Sequence, residues 1–136
     1  SQQGPPPARC FVESVGAEGL RSSDVVGRSD PYCLIGVVGK PATRQQTGYR
    51  SRTIRPIWNE AFFLPGYEPG DSVELIVMDH DTVTKDDFMG RAVVSGEQLA
   101  KKFFEGSVPL QDDGEHGAVG QRSKGKIFVR IFLTGC

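Results

Sequence analysis

Ser72-Val73-Glu74-Leu75-Ile76-Val77-Met78 is the stretch that decides the fold. Val73, Leu75 and Val77 recur at every second position, the period of a strand with one buried face. Lys126-Ile127-Phe128-Val129-Arg130-Ile131-Phe132-Leu133 repeats the pattern, with Ile127, Val129, Ile131 and Leu133 in line. Working outward, 17 glycines and 9 prolines break the chain into further short β-rich segments. The punctuation predicts strands over ~8–15, ~31–38, ~44–51, ~57–64, ~72–79, ~88–95, ~105–109 and ~126–133. Ser95 with Gln98 three residues on makes a capping box, and Leu99 and Phe103 then share a face at i,i+4. That predicts one short helix over ~96–103, between strands 6 and 7. The fold class is all-β: an eight-stranded antiparallel β-sandwich with one short helix.

At 136 residues the chain reads as a single domain over 8–136, with 1–7 as a Pro-rich linker or an expression remnant. Lys and Arg number 16 against 17 Asp and Glu, a balance that excludes the strongly basic face of a generic nucleic-acid binder. No apolar run approaches the ~18 residues of a membrane-spanning helix, and the leader lacks the pattern of a signal peptide. Cys10, Cys33 and Cys136 are too few and too scattered for a disulfide scaffold or a zinc site, and read as reduced thiols in a cytosolic setting. His80 and His116 are the two histidines, which excludes any site needing three.

If every connection reverses the chain, the odd-numbered ones emerge at one end of the sandwich: roughly 16–30, 51–57, 79–88 and 110–125. Asp24 and Asp30 lie on the first, and Asp79, Asp81, Asp86 and Asp87 on the third of these. Any one of them is explained as a turn aspartate bonding its own backbone. The alternation Asp79-x-Asp81 at a strand end, with Asp87 returning across the loop, points instead to a converging set. Carboxylates packed so closely repel, and a hard divalent cation such as Ca²⁺, taking six to eight oxygen ligands in irregular geometry, is the natural relief.

Gly27-Arg28-Ser29-Asp30-Pro31-Tyr32, Pro56-Ile57-Trp58-Asn59-Glu60-Ala61-Phe62, Val77-Met78-Asp79-His80-Asp81 and Asp87-Phe88-Met89-Gly90 resemble the C2 domain, the Ca²⁺- and phospholipid-binding module of many signalling and vesicle-trafficking proteins. The likeness spans ~8–133, and Ala17 and Leu20 also fit the pattern before the first loop. It implies a metal site of Asp24, Asp30, Asp79, Asp81 and Asp87, completed by the backbone carbonyls of Val25 and His80. Asp86 stands outside that set, as a solvated neighbour. The resemblance implies two Ca²⁺ ions, which turn a strongly negative loop end nearly neutral. With a strand at the chain's end, the element order looks like the family's circularly permuted, type II topology.

The same resemblance implies membrane contact through the loop tips. Val25, Val26 and Val83 could enter a bilayer interface, each contributing at most ~1.5–3 kcal/mol. Arg28, Lys85 and Arg55 would meet anionic headgroups, at ~1 kcal/mol each. Arg50 and Arg52, on the strand leading to Arg55, read as solvated strand-face residues. The family's phosphoinositide lysines match Cys33, Ile35, Gln46 and Gly48 here, so a dedicated phosphoinositide site is not expected. Trp58 reads as a packing residue, with Asn59 and Glu60 supporting strand pairing and loops.

The function read from this set is a Ca²⁺-dependent phospholipid-binding module that recruits a larger protein to anionic membranes. The isolated domain is expected to be monomeric and cytoplasmic, becoming peripheral on the membrane when Ca²⁺ binds. The alternative is a Ca²⁺-independent protein–protein interaction domain with a structural metal site. Catalysis is not expected: two histidines on loops build no Ser-His-Asp geometry, and no Gly-rich phosphate cradle precedes a helix.

Overall fold

The computed structural model describes residues 8–21, 29–113 and 123–135. Eight strands follow one another: β1 (Arg9–Glu18), β2 (Pro31–Val37), β3 (Lys40–Gln46), β4 (Ile57–Leu64), β5 (Val73–Asp79), β6 (Asp87–Val94), β7 (Phe103–Pro109) and β8 (Lys126–Thr134). They form two four-stranded antiparallel sheets, ordered β4-β1-β8-β7 and β3-β2-β5-β6. The alternation in β5 and β8 does what the sequence requires. Val73, Leu75, Val77, Ile127, Val129 and Ile131 all turn inward and are buried. At roughly 25 cal/mol per Å² of apolar surface removed from water, these faces are the main cohesion between the sheets.

Trp58 ties the two layers together. It is buried at 3% exposure, and its indole N–H donates to the carbonyl of Pro31 at 3.2 Å, from β4 to β2. The outer face of the first sheet carries a row of phenylalanines. Phe63, Phe11, Phe132 and Phe103 are successive cross-strand partners on β4, β1, β8 and β7. Ring centroids are 5.4 Å apart for Phe11–Phe63 and 5.7 Å for Phe103–Phe132, the spacing of favourable aromatic pairs.

Two local expectations are corrected. β3 spans Lys40–Gln46 rather than ~44–51, because Val38-Gly39 already closes a two-residue hairpin, with Gly39 at φ 80° and Val37 opposite Lys40. Pro41 sits within β3 since that strand is a sheet edge, where a missing N–H costs no ladder bond. The capping box forms as read: the Ser95 N–H donates to Oε1 of Gln98 at 2.9 Å, and the Gln98 N–H to Oγ of Ser95 at 3.1 Å. It opens only a single 3₁₀ turn, Gln98–Lys101, instead of a helix to ~103. Lys102 turns left-handed and its carbonyl accepts the N–H of Leu133, while Phe103 enters β7 to stack on Phe132. Sheet pairing outcompetes further helical turns.

The odd-numbered connections do meet. The N–H of Leu20 donates to the Ile54 carbonyl, and that of His80 to the Asp30 carbonyl, linking the first connection to the third and fifth. Gly125, ending the seventh, packs against β1 so closely that a Cβ there would lie 2.5 Å from the Glu18 carbonyl oxygen. At the opposite end Lys40 donates to the Gly66 carbonyl and to Oδ2 of Asp71, both at 2.8 Å.

Candidate functional site

β2, β5 and β6 are neighbours, so their ends stand side by side. Pro31 is the cross-strand partner of Asp79, and Asp79 that of Asp87. Asp30, Asp79 and Asp87 therefore occupy the rim of three adjacent strands. The Asp30 N–H donates to Oδ1 of Asp79 at 2.8 Å, and the Asp30 carbonyl accepts the His80 N–H at 2.9 Å. Oδ1 of Asp30 accepts the Arg52 N–H at 2.7 Å, which brings in the connection between β3 and β4. Like charges placed directly opposite destabilise a sheet, so the Asp79–Asp87 pairing suits a bound counter-charge.

Asp81 turns into its own loop. Its Oδ1 accepts the N–H groups of Val83 and Thr84 at 2.8 and 3.1 Å, and its Oδ2 the Thr84 hydroxyl at 2.8 Å. The Val83 and Thr84 amides, then the Thr84 hydroxyl, hold its carboxyl below the usual carboxylate range. Asp86 departs from the sequence reading: it is not a solvated neighbour. Its Oδ2 accepts the Tyr32 hydroxyl at 2.5 Å, and its Oδ1 accepts the Asp81 N–H at 2.9 Å. The Tyr32 hydroxyl, then the Asp81 amide, lower its pKa, while burial and the adjacent carboxylate push Tyr32 up to about 12.

Asp24, Val25, Val26 and Arg28 lie outside the described residues. Among the described residues, no three His, Cys, Asp or Glu side chains stand close enough to hold a metal ion. What the rim offers is oxygen from carboxylates and backbone, which fits a hard cation tolerant of irregular geometry rather than a soft one. Asp30, Asp79 and Asp87 line this rim, while the Asp81 carboxylate is engaged by its own loop.

Val83 is 89% exposed at the tip of the 80–86 connection, with Lys85 exposed beside it. Arg55 and Arg52 are exposed on the neighbouring connection. Arg50, by contrast, is a clip: Nε donates to the Ile57 carbonyl at 2.9 Å, and Nη2 to the Trp58 carbonyl at 3.2 Å and to Glu60 at 3.4 Å. Tyr49 stacks on His80 with centroids 4.4 Å apart, a contact the sequence reading missed. No spacing in the sequence announces it, because the two residues come from different connections.

The strand register corrects the matched phosphoinositide positions. Cys33 and Ile35 are fully buried and face the core, so no lysine there could reach a headgroup. On the outer face Arg44 and Arg91 both pair with Glu74, at 3.3 and 2.7 Å.

Comparison with known proteins agrees with this architecture. The family model described as C2 domain matches residues 8–110. Tricalbin-1 of Saccharomyces cerevisiae is 34% identical over 94 residues, covering 69% of this chain and 8% of that protein. Among solved structures, a C2 domain of plant Extended Synaptotagmin 1 superposes with a TM-score of 0.80 at 22% identity, covering 98% of both chains. The calcium-bound pair of C2 domains from Extended-Synaptotagmin 2 gives 0.73 at 24% identity, covering 96% of this chain and 47% of that one. The chain spans less than a tenth of Tricalbin-1, so its likeness there is to one module of a larger protein. With the family model covering most of the chain, and two four-stranded antiparallel sheets beneath it, the chain belongs to the C2 domain family.

Proposed function

We propose that this chain is a Ca²⁺-dependent phospholipid-binding module that brings a larger protein to anionic membranes. The observation that carries the reading is the rim of Asp30, Asp79 and Asp87 on three adjacent strand ends, cross-linked by backbone hydrogen bonds. Asp24 and Asp81 complete the acid set, with carbonyls from Val25 and His80, and two Ca²⁺ ions neutralise most of its charge. Val83, with Val25 and Val26, then enters the interface, while Arg28, Lys85 and Arg55 meet headgroup phosphates. The calcium-bound state of the Extended-Synaptotagmin 2 domains, which share this fold, supports Ca²⁺ as the ion. The chain acts as a monomeric address label, with catalysis left to other parts of whatever protein carries it.

Sedimentation with neutral and anionic vesicles, in Ca²⁺ and in chelator, tests the reading. Pelleting with anionic vesicles only in Ca²⁺ is expected. Absence of pelleting in every condition overturns it and favours a protein-interaction domain.

A further inference from the structure

The 80–86 connection is held by a latch that the acid set does not include. Tyr32 is 9% exposed on β2, and its hydroxyl reaches Oδ2 of Asp86 at 2.5 Å. The other carboxylate oxygen of Asp86 accepts the Asp81 N–H at 2.9 Å. One side chain therefore spans the loop from its exit to its entry and pins both to the sheet. Asp81 sits at the far end of this chain of bonds, its own carboxylate organising Val83 and Thr84. Moving the Asp81 backbone moves its carboxylate and the neighbouring His80 carbonyl together.

We propose that Tyr32 and Asp86 are a positioning pair that pre-sets the 80–86 connection for its cation without touching the ion. The loop then spends little of its binding free energy on ordering itself, the usual advantage of preorganisation. Asparagine at 86 could keep the link, its oxygen accepting the Asp81 N–H and its amide donating to the Tyr32 oxygen, whereas alanine removes both contacts. Tyr32→Phe is the cleanest probe, removing one hydroxyl and leaving the buried ring. The inference takes its cation from the proposed function, but the latch can be read without metal.

The test uses the full chain carrying Tyr32→Phe or, separately, Asp86→Ala, with Lys40→Met at the opposite end as a control for general destabilisation. Amide hydrogen exchange by NMR in chelator reads the latch, and calorimetric titration with Ca²⁺ reads its consequence. Loss of one such bond predicts Asp81 amide exchange faster by about threefold to tenfold, and Ca²⁺ affinity weaker by a similar factor. The control should change neither. Unchanged Asp81 exchange in both variants overturns the latch, whatever the metal does. Faster exchange with unchanged Ca²⁺ affinity overturns its positioning role. A wild type that titrates no Ca²⁺ overturns the proposed function and the positioning role, while the exchange data still decide the latch.

Discussion

The amide of Asp30 donates to Oδ1 of Asp79 at 2.8 Å, joining two acids that are 49 residues apart in the chain. This bond closes the rim between β2 and β5 before any ion arrives. It also means that charge and geometry at Asp79 can be separated by mutation. Asparagine keeps an acceptor oxygen for the Asp30 N–H but removes the negative charge.

Asp79→Asn combined with Asp81→Asn is therefore expected to abolish Ca²⁺-dependent vesicle binding while leaving the fold intact. The second substitution likewise keeps an acceptor oxygen for the Val83 and Thr84 amides. Circular dichroism checks the fold and co-sedimentation the binding. Retained Ca²⁺-dependent pelleting would remove both residues from the ligand set.

Ca²⁺ binding to the folded chain alone should raise stability by ~2.7 kcal/mol at a hundred times Kd. For a domain of this size that is roughly 10 °C in Tm. Differential scanning calorimetry in Ca²⁺ against chelator measures it, and an unmoved transition at millimolar Ca²⁺ contradicts a cation at the rim.

Val83→Asn should leave Tm unchanged, since the side chain is 89% exposed and packs on little. Vesicle affinity should fall by roughly tenfold or more, the loss of ~1.5–3 kcal/mol if the side chain is fully buried in the interface. Equal binding by the two proteins would leave attraction to the surface charge as the sole contact at that tip.

Burial pushes the thiols of Cys10 and Cys33 from 9.0 up to about 12. The neutral thiol is the form the fold favours, so its contribution is complete below pH 9 and is lost as pH rises from 9 towards 12. Each thiol should cost about 1.4 kcal/mol per pH unit across that window. Urea titrations from pH 8 to 11 should show the fall, and Cys10→Ala with Cys33→Ala should flatten it.

Gly125 has φ 90°, and a Cβ there would meet the Glu18 carbonyl oxygen at 2.5 Å and the Gly19 carbonyl carbon at 2.7 Å. Gly125→Ala should destabilise the domain by about 1–3 kcal/mol, from left-handed strain and backbone displacement. Chemical denaturation checks this, and a neutral result would mean that the β1–β8 contact yields freely.

Much of the fold was legible because alternation is a local property. Val73, Leu75 and Val77 declare a half-buried strand whatever surrounds them, and so do Ile127, Val129 and Ile131. The start of β3 is not local in this way: Pro41 is accommodated only because that strand lies at a sheet edge. The helix expected from Ser95 and Gln98 stopped after one turn because Phe103 is claimed by a partner 29 residues away, Phe132.

The acid spacing and the chain reversals were enough to place Asp30, Asp79 and Asp87 at one end, since parity and period survive any detail of packing. What Asp86 does was decided only in three dimensions. As a sequence symbol it is one more loop aspartate beside a better-placed neighbour. Its bond to Tyr32 exists because β2 and β5 pair in the register that sets Tyr32 opposite Met78, carrying the phenol to the loop's exit. Residue type and period belong to the chain itself. Contacts between side chains from different strands belong to the register, which the whole core selects.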